Sequence, residues 1–386
     1  AARPTGVPEL DRVLGGGLVP GSVTVCGGEP GIGKSTLLLQ ASAQMAAAGC
    51  RVLYVSGEES KPQIRMRAER LGAIHPDLWL STEYTLGDVL GHVAEVEPAL
   101  LVVDSIQAIH DPELGSAPGS VTQVRDCAHR LAQEAKQRAM STVLVGHVTK
   151  DGGLAGPRVL EHLVDTVLSF EGDRHHALRM LRALKHRFGS TLELGLFEMT
   201  EGGLQGVPDP SELFLADRRR GVAGSVVVPT IDGQRPLLVE LQALVTESAI
   251  PTPRRSAQGL DGGRLSLLLA VLERRAGVSV GSNDVYALAV GGVRVVEPGA
   301  DLAIALAVGS AVANRAVPDD LVAIGEIGLG GELRQVGQTP RRLSEATRLG
   351  FKRAIVPGGA LADADGIEVL RAATLSDALG MVRCLP

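Results

Sequence analysis

Aromatic side chains are scarce in this chain of 386 residues, which holds one Trp, three Tyr and five Phe. Leu, Val, Ile and Ala must therefore fill its cores, and hydrophobic residues at 45% make those cores substantial. Cysteine is equally sparse. Cys26, Cys50, Cys127 and Cys384 include no pair at C-x-x-C spacing, so neither a zinc site nor a disulfide framework is indicated. Buried thiols in a reducing, cytoplasmic compartment are the expectation. The longest apolar run, Leu302 to Ala313, is too short and too rich in Ala and Gly to span a bilayer. No signal peptide is read and no membrane partner is expected. The chain starts at Ala1 without an initiator Met, which leaves room for a preceding segment. Positive charge is not in excess either. Residues 1–220 carry 22 basic and 27 acidic groups, and residues 221–386 carry 16 and 17. Any nucleic-acid site must then be a local channel and not a whole-surface field.

What is present is more specific. Residues 28–35 read Gly28-Glu29-Pro30-Gly31-Ile32-Gly33-Lys34-Ser35, the G-x-x-x-x-G-K-[ST] phosphate loop. Glycines let backbone N–H groups wrap a polyphosphate, Lys34 reaches the β- and γ-phosphates, and the Ser35 hydroxyl suits Mg²⁺. Residue frequencies give roughly 0.01 such matches by chance in the chain. A Gly-rich turn with an incidental lysine is the alternative. Context argues against it: Ser22 to Cys26 reads as a strand, and Thr36 to Ala48 reads as a helix ending at Gly49. A helix opening there turns the positive end of its dipole to the anion.

Strand-like and helix-like segments alternate through residues 1–200. Strands are expected at 52–56, 100–104 and 142–147, with helices at 61–72, 87–96 and 120–139 and further β segments near 165–170, 178–184 and 192–199. This predicts an α/β fold with a mostly parallel sheet covered on both faces. Asp104 ends an apolar strand, where a second acid would hold Mg²⁺ through water. Glu58 and Glu59 follow the strand at 52–56. A carboxylate there can polarise the water that attacks a γ-phosphate, or both can be solvated loop acids. Gly-rich stretches at 111–120 and 150–158 follow strand ends, where open α/β sheets bind ligands; plain mobile loops are the competing reading. A linker is expected near 208–224. Beyond it lie a strand from Ser225, a turn at Asp232-Gly233, helices at 263–276 and 299–314, and a strand at 354–357, read together as a separate α+β domain.

The segment Thr5-Gly6-Val7-Pro8-Glu9-Leu10-Asp11-Arg12-Val13-Leu14-Gly15-Gly16-Gly17-Leu18 looks like the opening of RecA-like ATPases. Joined with Tyr54-Val55-Ser56-Gly57-Glu58-Glu59-Ser60, residues 146–152 (Gly-His-Val-Thr-Lys-Asp-Gly) and Lys185-His186-Arg187-Phe188-Gly189, it resembles the bacterial RadA (Sms) DNA-repair family over nearly the whole chain. The resemblance implies that residues 28–36, including Thr36, bind ATP, with Ser35 and Asp104 on Mg²⁺ and Asp104 as the Walker B acid. It implies Glu58, ahead of Glu59, as general base. His147 and Thr149 would sense the γ-phosphate, and Lys150 and Arg158 would contact DNA phosphates. Lys185 and Arg187, two apart on a strand, share a face and could reach one polyphosphate; an exposed basic strand is the reading without the resemblance, which implies instead the triphosphate of a neighbouring subunit. His186 stands where the family has Asn, on the other face, so no change in the ATPase is expected from it. Implied partners are single-stranded and branched DNA, other copies in a hexameric ring, and RecA recombinase. The implied activity is that of a DNA-stimulated ATPase, a helicase that promotes branch migration in recombination and repair.

The resemblance divides the chain into a RecA-like ATPase domain, 1–215, and a Lon-protease-like domain, 216–386. A Lon-type peptidase needs a Ser activated by a Lys. The segment expected to offer Ser reads Glu297-Pro298-Gly299-Ala300-Asp301-Leu302, and the segment expected to offer Lys reads Val336-Gly337-Gln338-Thr339-Pro340-Arg341-Arg342. Arg does not deprotonate at useful pH, and Lys352 is the domain's one lysine. No peptidase activity is expected. The family's four-cysteine zinc ribbon has no counterpart in these residues, so no zinc is expected in this chain. A nucleotide-gated RecA-like scaffold that binds protein and not DNA is the remaining alternative.

Overall fold

The computed structural model describes residues 1–147, 157–172, 178–360 and 364–384, with backbone alone at 147, 157 and 158. It divides into two compact units, Ala1–Pro208 and Asp209–Pro386.

The first unit opens with α1 (Pro8–Val13) and then alternates: β1 (Val23–Gly28), α2 (Lys34–Ala47), β2 (Val52–Ser56), α3 (Lys61–Arg70), β3 (Leu78–Ser81), α4 (Leu86–Val96), β4 (Leu100–Asp104), α5 (Val121–Gln137), β5 (Ser141–His147), α6 (Pro157–Leu160) and β6 (Thr166–Glu171). It closes with β7 (Leu178–His186), β8 (Leu194–Thr200) and β9 (Gly203–Gly206). One nine-stranded sheet runs β3-β2-β4-β5-β1-β6-β7-β8-β9. Its first six strands are parallel and its last three antiparallel.

The apolar runs at 52–56 and 100–104 are buried throughout because both sheet faces are covered. Side chains alternate across a strand, so each run feeds two cores. Leu53, Val55, Leu101 and Val103 join the core containing Val89, Val93 and Leu131 of α4 and α5. Tyr54, Leu100 and Val102 join the core containing Leu37, Leu38 and Met45 of α2. With few aromatics to use, the second core holds an edge-to-face pair, Phe170 on Phe197, with ring centroids 5.9 Å apart. The expectation omitted β3. As an edge strand it is buried only at its ends, so its pattern matches neither a continuous apolar run nor a helix.

The second unit contains α7 (Pro210–Leu215), β10 (Ser225–Asp232), β11 (Arg235–Glu247), β12 (Arg255–Gln258), α8 (Gly262–Ala276), β13 (Asn283–Ala289) and α9 (Asp301–Ala313). It continues with β14 (Leu321–Ala323), β15 (Glu326–Ile327), β16 (Leu333–Arg334), α10 (Thr339–Arg348), β17 (Arg353–Pro357), β18 (Glu368–Ala372) and α11 (Leu375–Met381). A mixed sheet runs β12-β13-β11-β10-β14-β17-β18, and β10 and β11 form a hairpin across Asp232. The 1–215 and 216–386 division shifts here: α7, read from sequence as linker and first domain, belongs to the second unit. Buried Ser211 explains why. Its hydroxyl accepts from the Leu238 amide at 3.1 Å and donates to Glu345 at 2.7 Å, fastening α7 to β11 and α10.

Candidate functional site

β1 sits between β5 and β6 in the middle of the sheet and delivers Gly28 to its carboxyl end. The chain then loops and re-enters as α2, with Gly33 as N-cap at φ 116°. That backbone conformation requires glycine; a Cβ there would lie 2.9 Å from Met199 Cε and 3.1 Å from Leu204 Cδ1, side-chain ends that can move aside. Glu29, Pro30 and Gly31 are exposed, and Ser35 and Thr36 are half-buried in the first turn of α2. Ile32 sends its side chain into the core, so its contribution to a ligand is confined to backbone groups. Pro30 has no N–H to offer. Arg179, at the start of β7, donates from Nε to the Ile32 carbonyl at 3.3 Å and braces the loop from beneath. No sequence signal marks Arg179, because the contact crosses 147 residues.

Lys34 is 4% exposed, and its Nζ donates to the carbonyls of Gly28 at 2.8 Å and Glu29 at 2.9 Å. Burial lowers its pKa; the charges of Cys26, Asp104 and Glu58 work the other way. Cys26 is a neutral thiol beneath the loop, pushed up to about 12 chiefly by burial.

β4 runs beside β2, with Asp104 in register with Ser56. Residues 100, 102 and 104 share the face on which α2 packs, so Asp104 turns toward the start of that helix. It is 5% exposed, and its Oδ2 accepts a 2.6 Å hydrogen bond from the Tyr54 hydroxyl. The Asp104–Ser105 peptide is cis. Ser105 Oγ donates to Glu58 Oε1 at 2.5 Å, which brings Glu58 to the end of β4. Glu59 turns the other way and forms an ion pair with Arg67 of α3. The two adjacent acids thus separate: Glu58 is held by Ser105 within the field of Lys34, while Glu59 is engaged by a guanidinium.

These residues fit a metal-bound triphosphate. Ser35 and Asp104 supply hydroxyl and carboxylate oxygens, the hard donors Mg²⁺ takes. The start of α2 supplies amides for phosphate oxygens. Among the described residues no cluster of three or more His, Cys, Asp or Glu is arranged to hold a metal by itself.

Lys185 and Arg187 lie elsewhere. Lys185 Nζ donates to the carbonyls of Glu161 at 2.7 Å and Val164 at 2.8 Å. Arg187, 62% exposed, pairs with Asp165 at 2.8 Å. Both therefore face the 161–165 segment, whereas His186 approaches the Thr166 hydroxyl at 3.2 Å. Asp165 in turn accepts from the Val23 amide, at the amino end of β1. Val23 and Gly28 stand five residues apart, roughly 16 Å along a strand. Arg187 is thus at the wrong end of the sheet to reach the phosphate loop of its own chain.

The 111–120 loop is tied down. Gln123, 1% exposed, donates from Nε2 to the carbonyls of Asp111, Leu114 and Ser116 and accepts from the Asp111 amide. Arg130 adds an ion pair to Asp111 at 2.6 Å. The backbone of His147 pairs with Gly28 beside the phosphate loop. Thr149, Lys150 and most of the 150–158 stretch lie outside the described residues, as does the side chain of Arg158.

A family model described as an AAA domain matches residues 2–153, and one described as subunit ChlI of Mg-chelatase matches residues 285–360. The DNA repair protein RadA of Halalkalibacterium halodurans is 50% identical over 378 residues, covering 97% of this chain and 83% of that protein. RadA of Mycolicibacterium smegmatis is 50% identical over 384 residues, 98% of this chain and 82% of its own. The chain belongs to the RadA family of DNA repair proteins. As a family member it is a RecA-like P-loop ATPase with a Lon-like second unit. RadA of Mycobacterium tuberculosis is 49% identical over 97% of this chain and 79% of its own. A KaiC-like protein from Pyrococcus horikoshii matches over 54% of this chain at 19% identity, with a TM-score of 0.45, too slight a likeness to carry weight.

In the Lon-like unit of this RadA-family chain, the 297–302 and 336–342 segments meet. They bring together a pair other than Ser and Lys. Buried Arg342 grips Glu297 with two bonds of 2.6 Å, and Glu297 also accepts from Thr230 Oγ1 at 2.6 Å and the Ile231 amide at 3.0 Å. A Cβ on Gly299 would lie 3.2 Å from Arg342 Nη1 and 3.2 Å from Glu297 Oε2. The guanidinium lies beside Gly299, in contact with Glu297. No described helix is long and apolar enough to cross a membrane.

Proposed function

We propose that this RadA-family ATPase is a ring-forming, Mg²⁺-dependent DNA motor of the cytoplasm that promotes branch migration of recombination intermediates. The observation that carries this reading is the separation of two half-sites in one chain. Gly28 to Thr36, Glu58 and Asp104 form a nucleotide site at the carboxyl end of the sheet. Lys185 and Arg187 sit at the other end, away from the phosphate loop of their own chain and open to the nucleotide of a second copy in a ring. A head-to-tail contact that closes on itself gives a ring, here a hexamer.

Bound Mg²⁺ supplies neutralisation of charge on the β- and γ-phosphates. Lys34 leaves its loop carbonyls for the phosphate oxygens. Ser35 and Asp104 would hold the metal. Glu58 accepts a proton from the attacking water, and the incoming Arg187, with Lys185 beside it, stabilises the charge that develops on the transferred group. His147 and Thr149 report the γ-phosphate to the residues after β5, and Lys150 and Arg158 contact DNA phosphates there. The Lon-like unit lacks the means for acyl transfer and serves ring assembly and the DNA channel.

The test is ATP hydrolysis with and without single-stranded DNA. Stimulation by DNA is expected, and Lys34→Ala or Asp104→Ala should abolish turnover. Normal hydrolysis by Lys34→Ala would remove the site assignment. ATP-dependent binding to single-stranded DNA that weakens steeply with salt supports the motor. Hydrolysis with no DNA binding at low salt would leave a nucleotide-gated scaffold instead.

A further inference from the structure

One buried side chain of the ATPase unit has a polar group with no part in the reading above. Tyr54 is fully buried in β2, in a core otherwise built mainly from aliphatic side chains. Phe would fill the same volume, so packing alone does not call for the hydroxyl. Register explains what it reaches. Tyr54 is paired with Val102, and Asp104 is two residues further along the same face of β4. A long side chain spans that diagonal, and the Tyr54 hydroxyl meets Asp104 Oδ2 at 2.6 Å. Burial first, and then the charge of Asp104, push the Tyr54 pKa well above its usual value, so the phenol keeps its proton and donates. Glu58, Lys34 and Cys26 are the other charged or titratable groups around this carboxylate, with Arg67 and Glu59 nearer the tyrosine.

We propose that Tyr54 is a positioning residue for the metal-facing carboxylate: its hydroxyl fixes Asp104 Oδ2 and so sets the orientation in which Asp104 meets hydrated Mg²⁺. This rests on the reading of Asp104 as a metal-holding acid. Without the hydroxyl, Oδ2 is left buried with no donor from Tyr54, and the carboxylate is free to turn toward the Lys34 ammonium. Groups that orient metal-holding residues typically change metal affinity by about 10- to 100-fold when removed.

The experiment measures binding of a fluorescent ADP analogue while Mg²⁺ is titrated, and again in EDTA. Tyr54→Phe should raise the Mg²⁺ concentration at half-effect about tenfold. Affinity in EDTA should stay within about twofold, because no phosphate contact is lost. An unchanged Mg²⁺ midpoint, or an equal loss with and without metal, overturns the proposal, since a merely structural hydroxyl gives one or the other. On an Asp104→Asn background, adding Tyr54→Phe should shift nothing further, and a further shift also overturns it. In that pair position 104 carries no carboxylate for the Tyr54 hydroxyl to hold, so it carries the test even if Tyr54→Phe alone folds poorly. If Asp104→Asn shifts the midpoint and Tyr54→Phe does not, the proposal alone fails. If Asp104→Asn leaves the midpoint unchanged, the assignment of Asp104 fails and takes the proposal with it.

Discussion

Glu58 and Glu59 are neighbours in sequence with opposite surroundings. Ser105 and the field of Lys34 hold Glu58 at the strand ends, while Arg67 holds Glu59 against α3. Glu58→Gln is expected to retain nucleotide binding and to lose turnover by about 10²- to 10⁴-fold, the range for a general base. Glu59→Gln should leave turnover largely intact and cost about 1 kcal/mol of stability through Arg67. Single-turnover hydrolysis and urea unfolding of the two variants check this, and the reverse pattern would exchange their roles. The sequence order of the two acids could not separate them, because the distinction is made by residues 47 positions away at Ser105 and by the far side of a helix at Arg67. The phosphate loop was legible because its chemistry is local: eight consecutive residues carry it. The place of Asp104 at the end of a buried strand was legible because it ends an apolar run. Tyr54, Arg179 and Gln123 were not, since each acts through a partner set by strand register or loop closure.

At the scale of elements, the central strands and the long helices follow from apolar periodicity, and the edge strand β3 does not. The 111–120 stretch shows how a Gly-rich, Pro-rich sequence can still be ordered. Ser120 caps α5 by accepting from the Gln123 amide, and the side chain of Gln123 then turns back to the loop. In the second unit the Glu297–Arg342 pair joins the start of the α9 region to α10 and β10. Burial alone would raise the Glu297 pKa; bonds from Arg342 and Thr230 outweigh it and hold the carboxyl below its usual value. A depressed carboxylate pKa contributes stability that is complete above the unfolded value, about 4.3, and that is lost as pH falls through the folded value. Arg342→Ala should therefore destabilise this unit by about 3 kcal/mol at neutral pH, and by less below about pH 4. Urea unfolding across that pH range measures it. A loss independent of pH would mean that packing, not the ion pair, is what Arg342 supplies. Gly299→Ser is expected to produce no peptidase activity in a casein assay, because the side chain beside position 299 is an arginine and not the lysine that a Ser–Lys pair needs.

At the scale of the molecule, two compact units divide at Pro208, and the sheet of the first has the phosphate loop at one end of β1 and Arg187 near the other. Sequence patterns predicted both domains. The point of division was displaced because α7 reads as linker until Ser211 and Arg348 tie it down: Arg348 pairs with Asp209 at 2.5 Å. A shared face for Lys185 and Arg187 could be read from their spacing, but their distance from the phosphate loop could not. It emerges only when β7 runs antiparallel to β6 and returns to the amino end of β1. From that distance follows the claim that each nucleotide site is completed by another copy. Mixing two inactive variants tests it most directly. Lys34→Ala keeps Arg187 but has no working phosphate loop, and Arg187→Ala keeps the loop but lacks the finger. ATP hydrolysis in the presence of DNA is measured for each variant alone and for their mixture after subunit exchange. Turnover well above the sum of the two separate rates is predicted, and a mixture no faster than that sum would contradict a site shared between subunits.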